Sequence, residues 1–204
     1  MSFLPSVVST HFKKNDPTLF KYIELIEAFE VNEEVDYFAS LCSSIVSQQL
    51  STRVADVIWS RVLNLFPNKV PEPQHILDLS EAELRAVGLS FAKIKYMKDL
   101  ASKVLSGELV LEKLPSMSND EVIAELTKVK GIGTWTAEMF LMFTLARPDV
   151  FSKGDLGLKK AIQKIYGLAE MPTEAEMLRY EEKWKPYRTY ASRILWRTLD
   201  KGIL

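Results

Sequence analysis

Only one cysteine, Cys42, occurs in 204 residues. That excludes a disulfide scaffold, a cysteine-rich zinc site and an iron–sulfur cluster held by four cysteines of this chain. Glycine is scarce, at 8 residues, and no run of alternating apolar and polar residues lies between hairpin turns, so nothing points to a sheet. Long hydrophobic runs are missing too. The longest, Met139 to Ala146, is eight residues and includes Thr144, against the roughly 20 that a membrane-spanning helix needs. The N-terminus, MSFLPSVVST, lacks the basic start and apolar stretch of a signal peptide, so an intracellular protein is expected. No sign of charge dominates: 26 Lys and Arg against 27 Asp and Glu give 26 − 27 = −1. That argues against a histone-like coating protein but leaves room for a local basic face. His11 and His75 have no metal-ligand spacing and no Cys partner, and both read as surface or loop residues. Cys42 sits in an apolar helical pattern and reads as packing. No Ser-His-Asp signature is present.

What remains is a chain with 47% hydrophobic residues, enough to rule out intrinsic disorder and to build one domain or two small lobes. Apolar residues recur at three and four, as in Phe38, Leu41 and Ile45, or Ile94, Met97, Leu100 and Val104. The expected class is therefore all-α. Start signals agree. Asp16-Pro17 predicts a helix over about 17–30, Ser80 to Glu83 is a capping box, Ser118 to Glu121 opens another helix, and Pro172-Thr173-Glu174 precedes one more. Trp59 and Trp184 read as core residues.

Charge is unevenly placed. Residues 16–36 carry Asp16, Glu24, Glu27, Glu30, Glu33, Glu34 and Asp36 against Lys21. Cations gather at 89–104, 128–164 and 179–201. This distribution fits solvated helix faces or a basic face on a neutral protein.

The most specific stretch runs from Leu126 through Gly131-Ile132-Gly133 to Ala137. It joins two helices by a Gly-x-Gly turn, where the backbone can approach a partner closely and the next helix offers its N–H groups to an anion. Twenty residues after Trp135 comes Asp155, within Phe151-Ser152-Lys153-Gly154-Asp155-Leu156-Gly157-Leu158. Two further segments stand in order with these: Ser44-Ile45-Val46-Ser47-Gln48-Gln49-Leu50-Ser51, and Trp184-Lys185-Pro186-Tyr187-Arg188 running on to Trp196. Gly88-Leu89-Ser90 with Lys93, Tyr96 and Leu100-Ala101 lies between them.

With these motifs the sequence resembles the helix-hairpin-helix (HhH-GPD) DNA glycosylases, and within them the 3-methyladenine DNA glycosylase II branch. The resemblance covers about residues 35–200. It implies a two-lobed helical fold with an active-site cleft between the lobes. One lobe would be a six-helix unit over 35–148 carrying the hairpin at about 126–140. The other would combine 1–34 with 149–204 and carry the catalytic aspartate. Only about 35 residues precede the first motif, so the likeness is to the compact form, without an appended N-terminal domain.

The resemblance also assigns roles. Asp155 matches the catalytic aspartate; the plainer reading, an N-cap for the next helix, is compatible with it. Gly131, Ile132, Gly133, the N–H groups of Thr134 and Thr136, and Lys153 would meet the DNA backbone. Trp135, Met139 and Trp196 would line the base pocket, although Met139 stands where well-known bacterial relatives have tyrosine, and Trp196 also suits a packing role. Gln49 or Leu50 would wedge into the gap left by a flipped nucleotide, while Gln48 would bond backbone within its own turn. Carbonyls of Thr127, Val129 and Ile132 match positions that hold a structural Na+ or K+ in such hairpins; no other cofactor is expected. Trp135 stands where bifunctional members place a Schiff-base lysine. The implied activity is hydrolytic excision of alkylated purines from damaged double-stranded DNA by a monomer. A bifunctional lyase and a non-enzymatic DNA-binding module are the alternatives.

Overall fold

A computed structural model describes residues 5–26 and 29–203. Glu27 of the acidic run and the first four residues of the N-terminal segment lie outside the described residues. Every regular element among those described is helical. In chain order the α-helices are α1 (Ser6–Asn15), α2 (Pro17–Ile23), α3 (Tyr37–Ser47), α4 (Thr52–Leu63), α5 (Pro73–Asp78), α6 (Glu81–Ala86), α7 (Phe91–Leu105), α8 (Asn119–Leu126), α9 (Thr134–Met139), α10 (Leu156–Tyr166), α11 (Glu174–Trp184) and α12 (Arg188–Asp200). Short 3-10 turns follow α4 and α7, and a π-helical turn, Phe140–Thr144, continues α9. No helix is long and apolar enough to cross a membrane.

The helix starts are set locally. Ser80, Ser118 and Thr173 each accept the N–H of the third helical residue, while Glu83, Glu121 and Glu176 return a bond to the cap's backbone N–H. These reciprocal bonds satisfy two orphan donors at each start. Asp16 caps α2 through the Leu19 N–H at 3.1 Å, but α2 stops at Ile23 instead of running to about 30. Glu24 occupies the C-cap and Glu30 follows nearby, and carboxylates there oppose the negative end of a helix dipole.

The chain divides into two units, Met1–Asn32 with Ala146–Leu204, and Glu33–Leu145. The first unit packs α1, α2, α10, α11 and α12 around a core that includes Phe12, Leu19, Leu158, Ile162, Trp184 and Ile194. One carboxylate sits inside that core. Asp16 is buried and accepts from the Tyr166 hydroxyl and from the Trp184 indole N–H at 2.9 Å. Burial, then this bond to Asp16, pushes the Tyr166 hydroxyl well above its ordinary value. Asp16→Ala is expected to cost about 3 kcal/mol, because it strands two buried donors at once; denaturant unfolding followed by tryptophan fluorescence measures it. The raised Tyr166 value gives a second sign. The folded state keeps this proton when the unfolded chain loses it near pH ~10, so stability is complete below that pH and falls as pH rises above it.

The second unit carries α3 to α9 around Leu41, Ile45, Leu84, Met97, Leu100, Val122 and Phe140. Seven α-helices stand here among the described residues, where the resemblance implies six; α5, α6 and α9 are only 6 residues each. Cys42 is fully buried in this core and burial pushes its thiol up, which leaves it unreactive. The histidines lie on helices and not in loops, each partly exposed at the surface. His11 lies half-buried on α1, between the rings of Phe12 and Tyr187, and His75 lies half-buried on α5 beside Phe66.

Candidate active site

The second unit presents the hairpin. α8 ends at Leu126 with Thr127 as its C-cap, whose hydroxyl donates to the Ile123 carbonyl at 2.7 Å, and the chain then turns through Lys130–Gly133 into α9. Two anchors are apolar: Val129 and Ile132 are buried, at 1% and 4% exposed. Gly131 has φ +81°, and a Cβ added there would stand 2.1 Å from the Tyr96 ring of α7. Both the left-handed backbone and the closeness of the ring demand glycine. Polar bonds hold the turn on either side. Asp99 accepts the Lys130 backbone N–H at 2.9 Å and pairs with its Nζ at 3.0 Å. Desolvation lifts the Asp99 carboxyl, but the Lys130 contacts outweigh it and hold it below its usual range. On the other side, Gln48 Nε2 donates to the Gly131 carbonyl at 2.8 Å. Gln48 therefore does not bond within its own turn.

That turn, Ser47–Leu50, is itself strained. Leu50 N–H bonds the Ser47 carbonyl at 3.2 Å, Gln48 has φ −51° and ψ 129°, and Gln49 has φ +59°. This is type II geometry, whose third position favours glycine. A glutamine held there costs roughly 1 kcal/mol, and such strain gathers at functional sites. Gln49 and Leu50 are both exposed. Together with Ser43, Ser47, Gln48, Trp135 and Met139 they line a cavity of about 320 Å³. Trp135 is 51% exposed, so it is not a core residue. A second cavity, of about 430 Å³, shares Ser43, Ser44 and Met139 and adds Glu34, Asp36, Phe143 and Trp59. Trp59 is thus half-buried at a cavity wall and not in the core, whereas Trp184 is fully buried.

The first unit holds Asp155. The approach to it is stapled to the start of α12: Thr189 Oγ1 donates to the Arg147 carbonyl at 2.5 Å and accepts the Val150 N–H at 3.1 Å. Arg188 grips the Asp149 carboxylate at 2.6 Å and pairs with Glu181. Asp155 then caps α10, with Oδ1 accepting the Leu158 N–H at 2.7 Å. The same Oδ1 accepts the Trp196 indole N–H from α12 at 3.0 Å. Gly157 makes room for this pair; a Cβ there would sit 3.1 Å from Asp155 Oδ1 and 3.2 Å from the Trp196 ring. Lys153 is exposed two residues earlier.

The site residues thus fall into two groups. Gln49, Leu50, Trp135, Thr136 and Met139 share one cavity wall in the second unit, and Asp155 with Trp196 form a bonded pair in the first. Several cations counted toward a basic face have acidic partners in the chain: Lys128 with Glu125, Lys130 with Asp99, Lys159 with Glu174, and Arg188 with Asp149 and Glu181. Sequence reasoning missed the bond from Gln48, the role of Gly157 and the cavity side of Trp59. The left-handed demand of a Gly-x-Gly turn was visible; the partners across the fold were not.

A helical chain with a clamped hairpin and a capped, tryptophan-bonded aspartate defines a class, the helix-hairpin-helix base excision proteins. Residues 42–186 match the HhH-GPD superfamily base excision DNA repair protein family, and the chain belongs to it. Among its relatives, the DNA-3-methyladenine glycosylase 1 of Schizosaccharomyces pombe is 33% identical over 193 residues, 92% of this chain and 85% of the relative. The solved complex of that organism's 3-methyladenine DNA glycosylase with abasic DNA aligns with a TM-score of 0.84 at 32% identity, covering 96% of this chain and 97% of that one. The DNA-3-methyladenine glycosidase of Bacillus halodurans aligns with a TM-score of 0.84 at 36% identity, over 100% of this chain and 93% of that one. The Bacillus subtilis relative YfjP is 33% identical over 81% of this chain, which spans 61% of its length.

Proposed function

We propose that this chain excises alkylated purines, of the 3-methyladenine and 7-methylguanine class, from damaged double-stranded DNA by hydrolysing the N-glycosidic bond. The observation that carries the reading is the Asp155 carboxylate, pinned through Oδ1 by the Leu158 N–H and the Trp196 indole N–H. The names of the relatives, DNA-3-methyladenine glycosylases, support the substrate class.

The chemistry follows from the residues. A purine alkylated on the ring is already cationic, so its departure leaves positive charge on the sugar. A carboxylate placed at C1′ stabilises that charge and can orient or deprotonate the attacking water. Trp135 cannot act as an amine nucleophile, so water attacks and an abasic site is the product. Electron-rich rings favour an electron-poor base, which gives Trp135 and Trp196, with Met139, the task of base selection. Reaching the base requires extruding the nucleotide. Gln49, with Leu50 beside it, takes the place left in the stack, while Gly131, Ile132, Gly133, Thr134, Thr136 and Lys153 hold the backbone. Carbonyls of Thr127, Val129 and Ile132 suit a Na+ or K+, since they are neutral oxygen donors; such an ion would add positive charge facing a phosphate. In this reading the chain works as an intracellular monomer.

Gln49→Gly separates strain from function. It is expected to raise stability by up to about 1 kcal/mol, because glycine accepts φ +59° without cost, while excision from paired duplexes slows. Thermal unfolding and single-turnover kinetics read the two effects. The reading as a whole is tested by incubating the protein with methylated duplex DNA and analysing released bases by chromatography. Free 3-methyladenine or 7-methylguanine is the expected product; release of neither overturns it.

A further inference from the structure

The turn that carries Gln49 and the hairpin are tied by one side-chain bond. Gln48 Nε2 donates to the Gly131 carbonyl at 2.8 Å, across 83 residues of sequence. Its recipient is a constrained point of the hairpin, with φ +81° and the Tyr96 ring against it. Gly131 cannot retreat, because the Tyr96 ring lies where a Cβ would be. The residue before it is held as well, because Asp99 accepts the Lys130 N–H at 2.9 Å and pairs with its Nζ at 3.0 Å. Gln48 therefore bonds to a fixed reference. The residue that follows it, Gln49, is in the left-handed region at φ +59°, a conformation that a glutamine abandons unless its surroundings impose it.

We propose that Gln48 is a positioning residue for base excision: its amide sets the Gln49 turn against the hairpin, so that backbone grip and nucleotide displacement act as one rigid device. This rests on the function proposed above for the hairpin and for Gln49. The bond is worth most where displacement is costly. With a correctly paired base opposite the lesion, unpairing must be offset by a wedge already in place; opposite a mismatch, part of that cost is absent. Losing the Gln48 amide should then slow excision selectively.

The test uses Gln48→Met, which keeps the side-chain length without the N–H donor, and Gln48→Ala. Single-turnover excision of 7-methylguanine is measured at saturating protein on duplexes pairing the lesion with cytosine or with a mismatched thymine. Thermal unfolding is recorded alongside. Both variants are expected to lose about tenfold on the paired duplex, the scale of one neutral hydrogen bond. On the mismatched duplex they should lose threefold or less, with the melting temperature nearly unchanged. Wild-type rates on the paired duplex would overturn the proposal, as would equal losses on both duplexes, which mark general damage to the fold. If the unaltered protein releases no base from either duplex, the proposed function fails instead.

Discussion

Asp155→Asn is expected to lower the rate of alkylbase release by about a thousandfold, close to 4 kcal/mol in the barrier, while DNA affinity and melting temperature hold. The substitution is nearly isosteric, and an asparagine Oδ1 can still accept the two bonds that hold this position, from the Leu158 N–H at 2.7 Å and the Trp196 indole at 3.0 Å. Helix α10 stays capped, since asparagine caps as well as aspartate does. What disappears is the negative charge. A neutral amide neither balances an oxocarbenium-like sugar nor takes a proton from water, so the loss falls on the chemical step. Single-turnover kinetics on methylated duplex, with binding to the same duplex by fluorescence anisotropy, separates the two. A variant at wild-type rate would assign Asp155 to capping alone.

Gly131→Ala carries the second large effect, on stability and binding together. The new Cβ would lie 2.1 Å from Tyr96 Cδ2 with the backbone at φ +81°, so either the ring or the hairpin must move. The cost is expected to be about 2–3 kcal/mol, the sum of left-handed strain and overpacking, which lowers the melting temperature by roughly 5–10 °C in a chain of this size. Because the moved backbone also accepts the Gln48 bond and adjoins the Lys130 N–H that donates to Asp99, DNA affinity should fall with it. Combining the change with Tyr96→Ala removes the collision but keeps the strain. The double variant should therefore melt above the sum of the two single effects, a positive coupling of about 1 kcal/mol or more. Simple additivity would mean that the ring does not constrain Gly131.

The helices and their caps were legible in the sequence because they depend on neighbours within a turn. Ser80, Ser118 and Thr173 cap through bonds to the third residue onward, and Asp155 does so with the same reach. The length of α2 was not legible, since the periodic apolar residues that extend the pattern past Ile23, such as Ile26, are buried from a non-helical stretch. The candidate site was legible where a motif stands in contiguous sequence, as in the hairpin and the aspartate loop. It was not legible where function depends on a partner far along the chain. Gln48 meets Gly131, Gly157 makes room for Trp196, and Trp59 turns toward a cavity shared with Met139. None of these pairings leaves a periodic or spacing signal, because each is made by the packing of separate helices.

Hydrolytic excision of an alkylated purine proceeds with no covalent protein–sugar intermediate in the proposed mechanism. The most direct measurement incubates the protein with a duplex carrying 7-methylguanine in the presence of sodium borohydride, then follows the released base, the strand and any protein–DNA adduct. The expected products are free 7-methylguanine and an unbroken strand bearing an abasic site, with no trapped adduct. A borohydride-stabilised adduct with strand cleavage would contradict it and place an amine nucleophile in this chain.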